Sequence, residues 1–291
     1  MSHIVTLVAN PATHPLSDAI IARVRDAIQG GMPDILSAGE AVDIPCGVMP
    51  FPAQIAQALG DAPYDAITTK ARGRRKGLLL ADMDSTIVTT ETLDEMAAHV
   101  GLKEKIAAIT RASMNGEIDF TRALRSRVKL LKGLPLTALE ATWARIEYSP
   151  GARELVATMR AHNAYTALVS GGFSFFTGRV AQALGFDTHR ANVLGENGRV
   201  LSGKVREPIL DADAKLTALK ELAQHRKVRL TAAAAVGDGA NDLAMLREAG
   251  LGVAYFAKPV VAAEARAQIR HTSLRALLFA QGYRLEQIVG G

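Results

Sequence analysis

The sequence predicts an α/β protein: a doubly wound, mostly parallel sheet with a small helical cap inserted after its first core strand, preceded by a small α+β domain. Three observations indicate this fold. Strand-like and helix-like segments alternate regularly after residue 150, a helical stretch occupies residues 91–148, and a short strand–helix unit occupies residues 1–70. Alternation of strands with helices is typical of parallel sheets that carry helices on both faces.

Length and composition limit the class of protein. The chain has 291 residues, 48% of them hydrophobic, which suits one large or two ordinary globular domains. The single cysteine, Cys46, cannot form an intrachain disulfide, so we expect a reducing compartment, the cytoplasm. The N-terminus lacks the pattern of a signal peptide, and no apolar run reaches about 18 residues, so we expect no membrane partner.

The charge is unevenly distributed along the chain. Residues 1–70 carry three Lys/Arg and seven Asp/Glu, a balance of −4, whereas the remainder carries 31 basic and 22 acidic residues. A basic region favours anionic ligands. The run at 72–76 could be interpreted as a nucleic-acid patch, but it is short and lacks interleaved aromatic residues. A solvated linker explains this run more simply, and we expect no nucleic-acid partner.

The first 70 residues predict a small β-α-β-α-β unit. Its strands are predicted at 3–9, 41–44 and 64–68, and its helices at 17–28 and 53–59, with Ser17 as the N-cap of the first helix. This unit shows no nucleophile, metal cluster or glycine-rich phosphate loop. We therefore predict an accessory domain at 1–70 for regulation, dimerisation or stability, a basic linker at 71–77, and a core domain at 78–291.

The core begins with an apolar strand at 78–82. The cap follows at about 91–148, with helices predicted at 92–100, 103–114 and 120–131. Beyond Pro150-Gly151 we predict strands at 166–169, 230–236 and 252–254, a hairpin at 191–206, and helices at 152–163, 174–184, 213–225, 243–249, 260–269 and 274–281.

Polar residues follow three of the core strands: Asp82 and Asp84, then Ser170-Gly171-Gly172, then Asp238 with Asn241 and Asp242. A lone Asp-x-Asp is more typical of a turn than of a site. The carboxyl ends of parallel strands meet at one edge of a sheet, however, and ligands bind there. Three such ends and a lysine on the intervening segment indicate a phosphoryl-transfer site.

Each residue type suits one task in that chemistry. Mg²⁺ prefers oxygen ligands. The carboxylates of Asp82 and Asp238 and the carbonyl of Asp84 can supply them to one ion. Ser170 can donate to a phosphoryl oxygen, and Gly171 lets a backbone N–H approach it closely. Lys215 can neutralise phosphoryl charge, although Lys204 and Lys220 are competing candidates.

These motifs resemble those of a known family. The segments DMDST at 82–86, VSGGF at 169–173, Lys215, and GDGAND at 237–242 are similar, in this order, to the four motifs of haloacid-dehalogenase-type phosphatases. Glu91 and the cap segments 109–116 and 120–128 resemble the phosphoserine phosphatases of that superfamily. The resemblance extends from about residue 78 to residue 283. Residues 1–70 resemble amino-acid-binding, ACT-like domains only vaguely.

The resemblance implies a role for each core residue. Asp82 is the expected nucleophile, which forms an aspartyl phosphate, and Asp84 is the expected general acid and base. Asp242 is expected behind the metal ligands. Asn241 is expected to orient Lys215 or a phosphate oxygen.

Substrate choice is expected from the cap. The resemblance implies that Glu91 binds an ammonium group, that Arg127 binds a carboxylate, and that Met114 and Phe120 wall the pocket. From the residues alone, Met114 and Phe120 could equally be ordinary core, and Arg127 lies among other basic residues that could form a solvated face.

The expected function is Mg²⁺-dependent hydrolysis of O-phospho-L-serine to L-serine and phosphate, the last step of L-serine biosynthesis. Two alternatives remain open. The same residues would serve a phosphotransferase that passes the phosphoryl group to another alcohol such as homoserine. Residues 1–70 could instead make the chain a ligand-sensing regulator or a homodimer.

Overall fold

The computed structural model describes residues 1–114, 117–211 and 213–290, without the side chain of Met114. Two sheets organise these residues, one of four strands and one of seven. Within the described residues, every helix is too short or too polar to cross a membrane.

The four-stranded sheet belongs to the first 70 residues. Its elements are β1 (His3–Val8), α1 (Asp18–Ala27), β2 (Asp34–Ser37), β3 (Ala41–Cys46), α2 (Pro52–Leu59) and β4 (Asp65–Lys70). The strand order is β2-β3-β1-β4, and all neighbours are antiparallel. Strand β2 is not predicted from the sequence, because this short edge strand begins with two exposed residues and lacks apolar alternation.

The second face of this sheet packs on the rest of the chain. Val8, Leu36 and Ile67 belong to the same buried cluster as the core strands. Arg74 joins the two parts, since its guanidinium donates to Asp43 at 2.5 and 2.9 Å and to the carbonyl oxygen of Ala280 at 3.2 Å. The N-terminal sheet is therefore part of a continuous interior.

The seven-stranded sheet carries the rest of the fold. Its strands are β5 (Leu78–Ala81), β6 (Tyr165–Phe173), β7 (Thr188–Asn197), β8 (Val200–Arg206), β9 (Ala233–Gly237), β10 (Leu251–Tyr255) and β11 (Ala267–Ile269). The order is β11-β10-β9-β5-β6-β7-β8. All neighbours are parallel except β7 and β8, which form the antiparallel hairpin.

Helices flank this sheet and fill the insertion after β5. The insertion contains α3 (Thr92–Ala98), α4 (Lys103–Met114), α5 (Phe120–Leu130) and α6 (Thr137–Trp143). An antiparallel bridge between Val88 and Tyr148 joins its two ends. The remaining helices are α7 (Ala152–Ala161), α8 (Ser174–Leu184), α9 (Ala214–His225), α10 (Leu243–Glu248), α11 (Pro259–Glu264) and α12 (Arg275–Ala280).

One predicted helix is wrong. The segment 260–269, expected as a single helix, is helical only to Glu264 and then forms β11, which pairs in parallel with β10. A short edge strand receives its hydrogen bonds from a distant neighbour, and local periodicity does not reveal that pairing. The strand expected at 230–236 is also shorter, since residues 230–232 form a 3₁₀ turn before β9.

Candidate active site

The site is built around the end of β5, the central strand of the larger sheet. Every residue of β5 is buried, because β6 and β9 flank it and helices cover both faces. The chain then leaves the sheet through a tight bend in which Ser85 adopts a left-handed φ of 54°. Because β9, β5 and β6 are adjacent, the polar residues at their carboxyl ends lie side by side, as the sequence predicts.

Asp82 is the most buried acid of this bend and faces a lysine. Lys215 Nζ from α9 lies 2.7 Å from Asp82 Oδ1 and 2.5 Å from Asp242 Oδ1. Burial raises the pKa of Asp82 well above its usual value, although Lys215 opposes that effect. Burial alone would lower the pKa of Lys215, but the carboxylates of Asp242 and Asp82 outweigh it and raise that pKa. Lys215 is thus held as an ammonium beside Asp82.

Asp84 lies in a different environment. Its Oδ1 accepts a hydrogen bond from the backbone N–H of Thr92 at 2.9 Å, and its Oδ2 accepts one from Ser170 Oγ at 3.2 Å. Burial, followed by the charge of Glu91, raises the pKa of Asp84 to about 7. This carboxyl group can therefore hold or release a proton near neutral pH, which suits a general acid and base.

Asp238 completes an acidic cluster. Ligand oxygens of Asp82, Asp238 and Asp242 lie within 4.8 Å of one another. Burial raises the pKa of Asp238 to about 6, although Lys258 Nζ lies 3.3 Å from its Oδ2. Buried carboxylates with raised pKa values gain stability when a cation joins them, and oxygen donors are those that Mg²⁺ prefers. The donor set therefore fits a hard divalent cation.

The end of β6 supplies small residues and donors. The backbone N–H of Gly172 donates to Ser170 Oγ at 2.8 Å. A Cβ atom on Gly171 would lie 2.9 Å from Phe120 Cζ, and one on Gly172 would lie 2.7 Å from Asp84 Oδ2. An alanine at either position would therefore force Phe120, Asp84 or the local backbone to shift.

The inserted helices close the other side. Glu91 Oε1 accepts a hydrogen bond from Ser85 Oγ at 2.8 Å. Arg127 Nη1 donates to Thr110 Oγ1 at 3.1 Å, and burial lowers the pKa of this arginine while Glu91 opposes that effect. Two parts of the predicted cap lie outside the described residues: the side chain of Met114, and Asn115-Gly116.

These groups surround one cavity of about 250 Å³. Most of the described residues predicted for the site line it: Asp82, Asp84, Glu91, Phe120, Arg127, Ser170, Gly171, Asp238 and Asn241. Lys215 and Asp242 lie behind this lining: Lys215 contacts Asp82, which lines the cavity, and Asp242 contacts Lys215. The structure therefore brings together residues that lie up to 160 positions apart in sequence, from Asp82 to Asp242.

Sequence reasoning missed two neighbours of the site. Lys258 lines the cavity three residues after β10 ends at Tyr255; the strand is predicted from the sequence, but the role of this lysine is not. Asn192 is buried in β7 and donates to the carbonyl oxygen of Gly171 at 2.9 Å, which orients that peptide. No local pattern around Asn192 marks this contact, because the partner belongs to another strand.

The chain is similar to known proteins in sequence and in fold. The model of the haloacid dehalogenase-like hydrolase family matches residues 79–247. A phosphoserine phosphatase of Archaeoglobus fulgidus is 44% identical over 189 residues, which cover 65% of this chain and 55% of that protein. The chain thus spans just over half the length of that relative.

Two further comparisons cover more than nine-tenths of the matched protein. A phosphoserine phosphatase of Streptococcus thermophilus is 42% identical over 199 residues, covering 68% of this chain and 93% of that protein. The solved structure of a phospho-aspartyl intermediate analogue of phosphoserine phosphatase aligns with a TM-score of 0.67 and 38% identity. That alignment covers 70% of this chain and 98% of the other.

Proposed function

This chain belongs to the haloacid dehalogenase-like hydrolase family, and we propose that it is a Mg²⁺-dependent phosphoserine phosphatase that releases L-serine and phosphate. One observation carries the proposal. A single cavity holds the Asp82–Asp84 pair and Ser170 on the sheet side, and Glu91 and Arg127 on the side of the inserted helices. The first group suits a phosphoryl ester, and the second suits an amino-acid moiety.

The nucleophile is Asp82. Its carboxylate attacks phosphorus, the bond from phosphorus to the serine oxygen breaks, and an aspartyl phosphate forms. Asp84, whose pKa is about 7, gives its proton to the departing serine oxygen. Asp84 then accepts a proton from the water that attacks the aspartyl phosphate, so that inorganic phosphate leaves and Asp82 is regenerated. The similar solved structure of a phospho-aspartyl intermediate analogue of phosphoserine phosphatase supports this sequence of steps.

The phosphoryl group is held from several sides. Ser170 Oγ and the backbone N–H of Gly171 donate to its oxygens, and the ammonium of Lys215 offsets negative charge on Asp82 and the phosphoryl group. Asn241 lines the same cavity and provides a further amide. Asp242 orients Lys215 through its 2.5 Å contact.

Asp82, Asp238 and the backbone carbonyl of Asp84 would hold Mg²⁺, with Asp242 behind them. When bound, the ion supplies positive charge that lets a carboxylate approach a phosphate dianion. The clustering of three buried aspartates supports this assignment.

The cap residues select the substrate by its amino-acid part. Glu91 binds the ammonium group and Arg127 binds the carboxylate in a bidentate arrangement, while Phe120 and Met114 wall the pocket and exclude water. Helices α3 to α6, within the cap at about 91–148, act as the lid over this pocket. The reaction would then form the last step of L-serine biosynthesis in the cytoplasm.

A panel of small phosphomonoesters tests this function. Phosphoserine, phosphothreonine, phosphoethanolamine and glycerol phosphate are each incubated with the protein, with and without Mg²⁺, and released phosphate is measured. We expect phosphoserine to be the preferred substrate and Mg²⁺ to be required. Comparable turnover of all four esters would contradict the proposed substrate.

Three features stay predictions. They are the division into residues 1–70, 71–77 and 78–291, the ACT-like character of residues 1–70, and a homodimer formed through residues 1–70. Light scattering of the full chain measures the oligomeric state. Titration with L-serine, followed by the change in melting temperature and in activity, tests whether the first part binds an amino acid. A monomer that is insensitive to serine would contradict both roles.

A further inference from the structure

The loop after β10 brings a second lysine to the site. Phe256 adopts a left-handed φ of 42°, which is uncommon for an aromatic residue and is typically maintained where the surrounding structure requires it. Its backbone N–H donates to the carbonyl oxygen of Ile269 at 2.8 Å. Two residues later, the backbone N–H of Lys258 donates to the carbonyl oxygen of Asp238 at 3.2 Å. The loop is thus anchored at Phe256 and at Lys258 itself.

The side chain of Lys258 turns toward the same aspartate. Its Nζ lies 3.3 Å from Asp238 Oδ2, and the side chain is 36% exposed, against 3% for Lys215. Among the described residues that line the cavity, Lys258 is the only lysine. The two lysines therefore occupy different positions. Lys215 is buried behind Asp82, and Lys258 faces the cavity.

This position has two electrostatic consequences of opposite sign. A cation beside Asp238 repels any further cation that uses the same carboxylate. The same cation attracts an anion that enters the cavity, and it does so more strongly than in bulk water because the site is partly buried. Removal of the charge would affect the two kinds of ligand in opposite directions.

We propose that Lys258 is a positioning residue that balances the two ligands of the site: its ammonium weakens binding of the divalent cation at Asp238 and strengthens binding of the phosphoryl anion. This inference uses the metal site of the proposed function but not the identity of its substrate.

Calorimetric titration of Lys258→Met and of Lys258→Arg tests the proposal with simple probes. Mg²⁺ alone is titrated first, and inorganic phosphate is then titrated at saturating Mg²⁺. We expect Lys258→Met to bind Mg²⁺ roughly tenfold more tightly and phosphate roughly tenfold more weakly than the original chain, as the loss of one partly exposed charge implies. Lys258→Arg should behave like the original chain. Lys220→Met removes an exposed lysine of α9 and controls for the net charge.

Opposite shifts are a result that a merely structural role would not produce. If Lys258→Met weakens binding of both ligands, or leaves either affinity unchanged, the proposal is overturned. Lys258→Gln repeats the test with a polar side chain in case the methionine variant does not fold. Because the probes are Mg²⁺ and phosphate, the result is separate from that of the phosphomonoester panel.

Discussion

Lys215 and Asp82 form an ion pair in which the two side chains are only 3% and 7% exposed. The pair links α9 to the end of β5, and its electrostatic interaction is little screened by water. The ion pair therefore links the stability of the fold to the aspartate that is proposed as the nucleophile.

Asp82→Asn should abolish turnover while the fold is retained. The amide has nearly the same shape but is a far weaker nucleophile than the carboxylate, so we expect kcat for phosphate release to fall at least about 1,000-fold. Circular dichroism and the melting temperature serve as controls. Full turnover of phosphoserine by this variant in the presence of Mg²⁺ would rule out Asp82 as the nucleophile.

Lys215→Met should destabilise the protein, and a second substitution should recover part of the loss. Without the ammonium, Asp82 and Asp242 remain buried close together, which costs about 3 kcal/mol in the free energy of unfolding. Asp82→Asn removes one of these charges, so the double variant should be more stable than Lys215→Met alone. Urea unfolding of the original chain, the two single variants and the double variant measures the coupling free energy between Lys215 and Asp82. A double variant that is no more stable than Lys215→Met would argue against the ion pair as the cause.

Stabilisation by Mg²⁺ should depend on pH with a midpoint near 6. The pKa of Asp238 is raised to about 6 in the folded chain, above about 3.9 in the unfolded chain. The folded state thus binds this proton more tightly, and the contribution of Asp238 to stability falls as pH rises from about 4 through 6. Because Mg²⁺ needs the carboxylate, its effect grows over the same range.

Melting temperatures with and without MgCl₂ at pH 5.0 and 7.5 measure this dependence. The increase caused by Mg²⁺ should be larger at pH 7.5, and Asp238→Asn should remove most of it. An equal increase at both pH values would mean that protonation of Asp238 does not compete with the metal ion.

Arg127→Ala should impair the use of phosphoserine far more than that of phosphoethanolamine. Only phosphoserine carries the carboxylate that this arginine is proposed to bind, so kcat/KM for phosphoserine should fall about 100-fold. Arg122→Ala, an exposed arginine on the same helix, is the matched control. If both esters lose activity equally, Arg127 supports the lid rather than selecting the substrate.

Gly171→Ala should reduce activity through a clash with the lid. The added methyl group would lie 2.9 Å from Phe120 Cζ, so the Phe120 side chain, α5 or the Gly171 peptide must shift, and we expect about a 100-fold loss of kcat/KM. Phe120→Leu makes space and should restore part of the activity in the double variant. Absence of any rescue would indicate that the methyl group obstructs the phosphoryl group itself.

Local sequence determined the positions at which the chemistry begins. Apolar runs end at Asp82, at Ser170 and just before Asp238, and each run forms a buried strand of the larger sheet because it lies between two others. Since parallel strands align their carboxyl ends, the convergence of these residues followed from the pattern alone. The pairing of β5 with both β6 and β9 confirms the predicted mostly parallel sheet.

Tertiary structure alone decided how these residues are oriented and what else joins them. Three contacts of the site join segments that are distant in sequence. They are Asp242 with Lys215, Asn192 with the Gly171 peptide, and Lys258 with Asp238. The strand β11 likewise exists because β10 pairs with it. Residue spacing reports which side of its own helix or strand a side chain occupies. The neighbours that raise a pKa or hold a peptide come from other elements, and only the folded chain brings them within a few ångströms.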